Sequence, residues 1–238
     1  MKKVFFLFCI FVFIITACQN GANNQAPDPD TVGAIPNLNI SYEYTSIHHP
    51  GVRVRGAVEA KVIVPFDIKR EQLRPTLLSI FKDAREKYPD EDIDIFLAPS
   101  QGMMNCTQLA GRADYDGDKG KLELDYGIPT DQEMAESNAQ IGKKDPFLGV
   151  DDGPRLYRPD AKTFAILDKV NYLACRKFKA DKEATTFTVF PAVARKMGIT
   201  AKQVKQYYFF VFDYYPQYGI NSFDEKAEVL DIGKAAGN

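Results

Sequence analysis

The feature that most constrains the fold is a change of hydrophobic period along residues 52–97. Apolar residues first alternate with polar ones, then recur every three or four positions through 69–88, and alternate again through 93–97. Alternation is typical of a strand with one buried face, and the longer spacing of a helix with one buried stripe. The sequence therefore predicts a strand, a helix and a strand. The apolar positions are Val52, Val54, Val58, Val62, Val64, Leu73, Leu77, Ile80, Phe81, Ala84, Tyr88, Ile93, Ile95 and Leu97.

Further strands are predicted on both sides of this unit. A short alternation at 40–44 indicates one strand, and the runs 109–115 and 121–126 flank a glycine-containing turn typical of a hairpin. We therefore expect an α+β domain over 40–128, with an antiparallel-rich sheet packed on one helix. In this order of elements, the segment resembles small exported bacterial α+β domains of uncharacterised function. That resemblance implies a fold and no active-site residue.

Residues 129–223 are predicted to form a mainly helical part packed on that domain, with a tail at 224–238. Helix-capping side chains precede three of its apolar patterns. They are Thr130 with Glu133, Asp160, and Thr200. Residues 186–190 fit either a short strand or the start of another helix, which Gly198 would end. Pro75, in the earlier helix, indicates either an adjusted first turn or a later start.

Residues 1–17 have the layout of an export signal. Lys2 and Lys3 precede the apolar run 4–15, which is shorter than the roughly 20 residues that span a bilayer. Ile15-Thr16-Ala17-Cys18 resembles the bacterial lipobox, in which an aliphatic and two small residues precede a cysteine. The resemblance implies cleavage before Cys18, a diacylglycerol on its thiol and an acyl chain on its new amine. The alternative is an ordinary secretory signal with a chance cysteine.

A lipid on Cys18 would anchor the chain to a membrane of the bacterial cell envelope. Gln19 stands where an aspartate would favour the inner membrane, so we expect the outer membrane, on its periplasmic or surface side. Residues 18–39 are rich in Asn, Gln, Ala and Pro and predict a flexible tether.

Two cysteines, Cys106 and Cys175, remain after processing once Cys18 carries lipid. An even pair in an oxidising compartment favours a disulfide, and two buried free thiols are the alternative. A nucleophilic cysteine is disfavoured because the only histidines, His48 and His49, lie in an apparent turn with no motif linking them to either thiol.

Charge is distributed unevenly. Residues 81–136 carry 6 basic and 14 acidic side chains, whereas 161–205 carry 10 basic and 3 acidic ones. One interpretation is that these regions face each other or are simply solvated faces. The other is that the basic region meets anionic lipid headgroups or lipopolysaccharide. Residues 193–207 also resemble a helix-turn-helix, but an exported chain does not meet chromosomal DNA, so no nucleic-acid partner is expected.

The sequence contains no complete motif for catalysis, metal binding or cofactor binding. Asp114, Asp116 and Asp118 alternate as in a calcium loop, but Lys119 and Asp125 occupy the positions that require Gly and Glu. No nucleophile elbow, zinc-protease helix, phosphate-binding loop or dinucleotide fingerprint is present. We expect no catalytic residue, metal ligand or cofactor site.

The sequence therefore predicts a non-enzymatic envelope lipoprotein with a binding or structural role. Its partner would be another envelope protein, a surface polymer or a host factor. The alternative is an envelope hydrolase that uses acidic residues near 114–125 or in the long loop 141–159. That loop is either a contact loop or a passive linker.

Overall fold

The structure is a computed structural model. It describes residues 57–141, 154–218 and 227–234, together with the backbone of 32–35 and 40–47. Cys18, Val52, Val54, the His48-His49 turn and most of the loop 141–159 lie outside the described residues.

Among the described residues, seven strands form one sheet whose spatial order is their order along the chain. Neighbours are antiparallel except β3 and β4, which are parallel. The strands are β1 (Val32–Ile35), β2 (Ile40–Ile47), β3 (Ala57–Ile63), β4 (Asp92–Ala98), β5 (Gly111–Asp116), β6 (Lys121–Tyr126) and β7 (Glu228–Asp231). The helices are α1 (Arg70–Lys87), α2 (Gln101–Asn105), α3 (Asp131–Gln140), α4 (Ala161–Ala180), α5 (Thr186–Met197) and α6 (Ala201–Tyr214). The predicted α+β class is confirmed.

The predicted strand, helix and strand are β3, α1 and β4. A parallel pair needs a long crossover, and α1 provides it. Val58 lies opposite Ile93 and Val62 opposite Leu97, so the alternating residues of both strands point to one face. That face packs on the buried stripe of α1, where Leu73, Leu77 and Ile80 are fully buried.

Pro75 does not delay α1. The helix begins at Arg70, and a bond from the Lys69 backbone N–H to Gln72 Oε1 closes its first turn at 2.8 Å. The alternative of a late start is therefore wrong, and Pro75 lies inside the helix.

The predicted hairpin is β5 and β6, joined by 117–120. Gly120 has a φ of +69°, and a Cβ there would lie 2.5 Å from the carbonyl carbon of Gly233. This close approach follows from β7, which pairs with β6 within the predicted tail. A bidentate ion pair from Arg74 to Glu228 and a 2.6 Å bond from Tyr126 Oη to Glu228 fix β7 to α1 and β6.

The helical part follows the predicted caps. Thr130, Asp160 and Thr200 each accept a bond from a first-turn backbone N–H of α3, α4 and α6. Residues 186–190 begin helix α5 rather than a strand, and Gly198 ends it with a φ of +69°. None of the helices that the structure describes is long and apolar enough to cross a bilayer.

Helices α4, α5 and α6 share a second apolar core, which lies beside the main one. Its fully buried members are Val170, Ala174, Val189 and Val204. Phe210, Val211, Tyr214 and Tyr215 of α6 and its C-terminal end instead join the sheet core. The pair of helices that resembled a DNA-binding unit is thus packed on α4 and on the sheet.

Candidate functional site

The outer face of the sheet, formed by the side chains of β3–β6 that point away from α1, carries a row of carboxylates. Glu59 lies opposite Asp94, Asp94 opposite Asp114, and Asp114 opposite Glu123. Like charges directly opposite one another destabilise a strand pair. The row therefore needs cations nearby.

Basic side chains on the same face supply them. Lys61 forms an ion pair with Glu59, and Arg112 lies between two carboxylates. Its Nη2 is 2.9 Å from Asp114, and its Nη1 is 3.8 Å from Asp125. Sequence analysis did not single out Arg112, although its place opposite Asp125 in an alternating hairpin was a usable signal.

Arg112 is only 6% exposed, and its guanidinium lies 4.5 Å from the centre of the Tyr218 ring. Burial disfavours the charged form, but Tyr218, Asp114 and Asp125 outweigh it and raise the pKa of Arg112. Arg112 is therefore a fixed cation that links β5, β6 and the chain after α6. This is a structural role.

The hairpin tip uses its acidic residues internally. One oxygen of Asp116 accepts bonds from the backbone N–H groups of Asp118 and Lys119, each at 3.0 Å, and the other lies 2.7 Å from Lys119 Nζ. These contacts with Lys119 lower the pKa of Asp116. Among the described residues, no group of three His, Cys, Asp or Glu side chains is placed to hold a metal ion.

The second charged surface lies on the helices. Lys162, Lys169 and Arg176 of α4 recur at intervals of seven residues and are all exposed, on the side opposite buried Leu167 and Ala174. Two helical turns separate successive members, so they form a straight row along the helix. We call this row the α4 basic row.

The only acidic side chain within α4 is directed away from this row. Asp168 accepts a 2.5 Å bond from Ser100 Oγ, the N-cap of α2. Tyr172 lies between Lys169 and Arg176 in sequence and is 37% exposed. The surface of α4 therefore combines positive charge with one aromatic side chain.

Several contacts fix the orientation of α4. Cys106, at the end of α2, forms a disulfide with Cys175, as predicted, and their Cα atoms are 6.2 Å apart. Beside it the buried amides of Gln108 and Asn171 are hydrogen-bonded, and Lys179 Nζ donates to the carbonyl of Asn105 at 2.5 Å. Helix α2 packs on the sheet. Because these contacts join α4 to α2, the α4 basic row is held in a fixed position relative to the sheet.

Basic side chains continue on α5 and α6. All ten in 161–205 are exposed: Lys162, Lys169, Arg176, Lys177, Lys179, Lys182, Arg195, Lys196, Lys202 and Lys205. None of them forms an ion pair within the part of the chain that the structure describes. The acidic region 81–136 therefore forms no ion pair with the basic region among these residues.

The aromatic run of α6 is divided between core and surface. Phe210 is 2% exposed, whereas Phe209 and Phe212 are half-buried. Phe209 packs edge-on against Phe190 of α5, with ring centres 6.2 Å apart. Phe187, at the start of α5, is 89% exposed and is the most exposed of the described aromatic side chains.

Comparison with known proteins adds no assignment, because no family model, curated protein or solved structure matches the chain.

Proposed function

We propose that the chain is a lipid-anchored protein of the bacterial cell envelope with a binding or structural role, and that it is not an enzyme. Two features support the proposal: residues 1–18 resemble an export signal that ends in a lipobox at Cys18, and the folded part contains the Cys106–Cys175 disulfide. Disulfides persist in oxidising compartments and are rare in the cytosol. The signal and the disulfide thus support the same location by independent arguments.

Binding is favoured over catalysis by the state of the charged groups. A carboxylic acid that acts as a general acid near neutral pH needs a raised pKa. The hairpin carboxylate of Asp116 has a lowered pKa, and Asp114 is 2.9 Å from Arg112. The exposed basic side chains of the helical part other than Lys179, which donates to the carbonyl of Asn105, are instead available to a partner. The partner would be another envelope protein, a surface polymer or a host factor.

Metabolic labelling with an alkyne fatty acid tests the anchor. We expect the wild-type chain to take up the label and to fractionate with membranes, and Cys18→Ser to do neither. Cys9→Ser is the matched control because Cys9 lies inside the apolar run and is removed with the leader. A wild-type chain that carries no label and stays in the cytosol would refute the proposal.

Crosslinking in intact cells tests the binding role. We expect a crosslinked partner to be captured through lysines of the helical part. Turnover of an envelope polymer by the purified chain, lost when Asp114 or Asp116 is replaced by Asn, would favour a hydrolase instead.

A further inference from the structure

We propose that the α4 basic row docks on the surface of an anionic lipid bilayer, so that the folded part lies with α4 along the membrane. This inference rests on the proposed function because the lipid anchor at Cys18 brings α4 close to the membrane.

The shape of the row fits a plane. Lys162 and Arg176 are fourteen residues apart on one straight helix, which corresponds to about 21 Å at 1.5 Å per residue. Helices α2, α5 and α6 pack against α4, and the row lies on its exposed side. A straight, exposed row on one helix suits a flat surface, whereas a linear polymer or a peptide strand is usually held in a groove.

The charge of the row fits anionic headgroups. Asp168 is bonded to Ser100, and no described acidic residue forms an ion pair with Lys162, Lys169 or Arg176. Each basic side chain held close to an anionic leaflet strengthens attachment about fivefold. Tyr172 beside the row adds an aromatic ring of the kind enriched at membrane interfaces.

The length of the tether makes lipid the first anionic surface that the row meets. Strand β1 begins at Val32, within the segment 18–39 that was predicted to be a tether. Thirteen residues lie between Cys18 and Val32, and such a chain spans at most about 50 Å when fully extended. A domain confined to that distance experiences a high effective concentration of headgroups. The disulfide and the Lys179 contact hold α4 in place, so docking would need no rearrangement.

Lysine acetylation footprinting of the full chain tests the proposal. The chain is reconstituted into vesicles of phosphatidylcholine alone or of phosphatidylcholine with phosphatidylglycerol. On the anionic vesicles, but not on those of phosphatidylcholine alone, we expect acetylation of Lys162 and Lys169 to slow at least about threefold. Each basic group contributes about fivefold to attachment at an anionic surface. Lys82, whose side chain is 79% exposed on α1, should react equally on both. Salt at about 1 M, where the Debye length is about 3 Å, should abolish the protection.

Charge reversal provides the second arm. The double variant Lys169→Glu/Arg176→Glu should lose the protection of Lys162, and Lys82→Glu/Lys234→Glu, with the same change in net charge, should keep it. Both control positions are exposed and lie outside the helical part. Circular dichroism verifies that both variants fold.

The outcomes separate this inference from the anchor. Fatty-acid labelling without protection on anionic vesicles would overturn the docking and leave the anchor. Protection without fatty-acid labelling would keep the docking and refute the anchor. Protection that appears without vesicles and rises with protein concentration would assign the row to a second copy of the chain and overturn the inference.

Discussion

The outer face of the sheet differs from the basic helical surface in whether its charges are paired. The basic helical surface consists of the ten exposed basic side chains of 161–205. On the sheet, Arg112, Lys61 and Lys121 each lie beside a carboxylate of the same or a neighbouring strand. On the helices, none of the ten basic side chains has an ion-pair partner among the described residues. The buried pair of Arg112 and Asp125 holds strands together, whereas exposed charges contribute little to stability. The same kinds of side chain therefore serve the fold in one region and remain available for contact in the other.

The largest expected effect concerns the disulfide that joins the two regions. Cys106 and Cys175 are 69 residues apart, and closing such a loop stabilises the folded state by about 4 kcal/mol in the chain-entropy treatment. We expect Cys106→Ser/Cys175→Ser to lower the free energy of unfolding by about that amount, measured by urea denaturation. Amide exchange should rise first in α2 and α4. Mass measurement that finds two free thiols before reduction would contradict the pairing.

The next effect compares one cation from each region. Arg112→Met removes a charge partner of Asp125, which is 3% exposed, and breaking a buried pair costs about 3 kcal/mol or more. Lys169→Met removes an exposed charge of the α4 basic row and should change the free energy of unfolding by less than about 0.5 kcal/mol. Urea denaturation of both variants under the same conditions gives the comparison. Equal losses would show that the two regions do not differ in the way proposed.

Two glycines with the same backbone angle sharpen the comparison. Gly120 and Gly198 both have a φ of +69°, but only Gly120 has another backbone where a Cβ would lie, at 2.5 Å from Gly233. Gly198→Ala should cost about 1 kcal/mol from the left-handed conformation alone. Gly120→Ala should cost about 2–3 kcal/mol because it also displaces the segment after β7. Similar thermal shifts for the two variants would mean that β7 moves away without penalty.

The elements that sequence could predict are those with long periods or clear caps. The alternation of β3 and β4, the stripe of α1 and the caps at Thr130, Asp160 and Thr200 are all local signals, and each element formed where expected. Residues 186–190 were ambiguous because β-branched and aromatic side chains favour strands. Packing of Val189 and Phe190 into the second core fixes them as helix.

The elements that sequence missed depend on distant partners. Strand β7 has four residues, too few for a period, and forms through its pairing with β6 and the Arg74–Glu228 contact. Helix α2 has five residues and follows the Ser100 cap. The charge imbalance of 161–205 was visible in the sequence, but the separation of paired from unpaired cations needed the geometry of both regions.

The smallest expected effect is a pH dependence that belongs to the sheet region. Hydrogen bonds from Arg74 and Tyr126 lower the pKa of Glu228 below its usual value of 4.5. A carboxylate with a lowered folded-state pKa contributes stability above its unfolded pKa and loses that contribution as the pH falls through the folded value. Wild type should therefore exceed Glu228→Gln by less than about 1 kcal/mol at neutral pH, because the pair is partly exposed, and the difference should shrink at an acidic pH below 4.5.

Urea midpoints of both proteins at the two pH values measure this difference, and high salt should reduce it. Glu183→Gln, an exposed change between α4 and α5, is the control from the helical region and should leave the midpoint unchanged at both pH values. A gap between wild type and Glu228→Gln that widens as the pH falls would contradict the sign of the pKa shift. A difference in urea midpoint that does not change with pH would mean that Glu228 holds β7 through hydrogen bonds alone. Arg112 would then be the remaining evidence that paired charges stabilise the sheet.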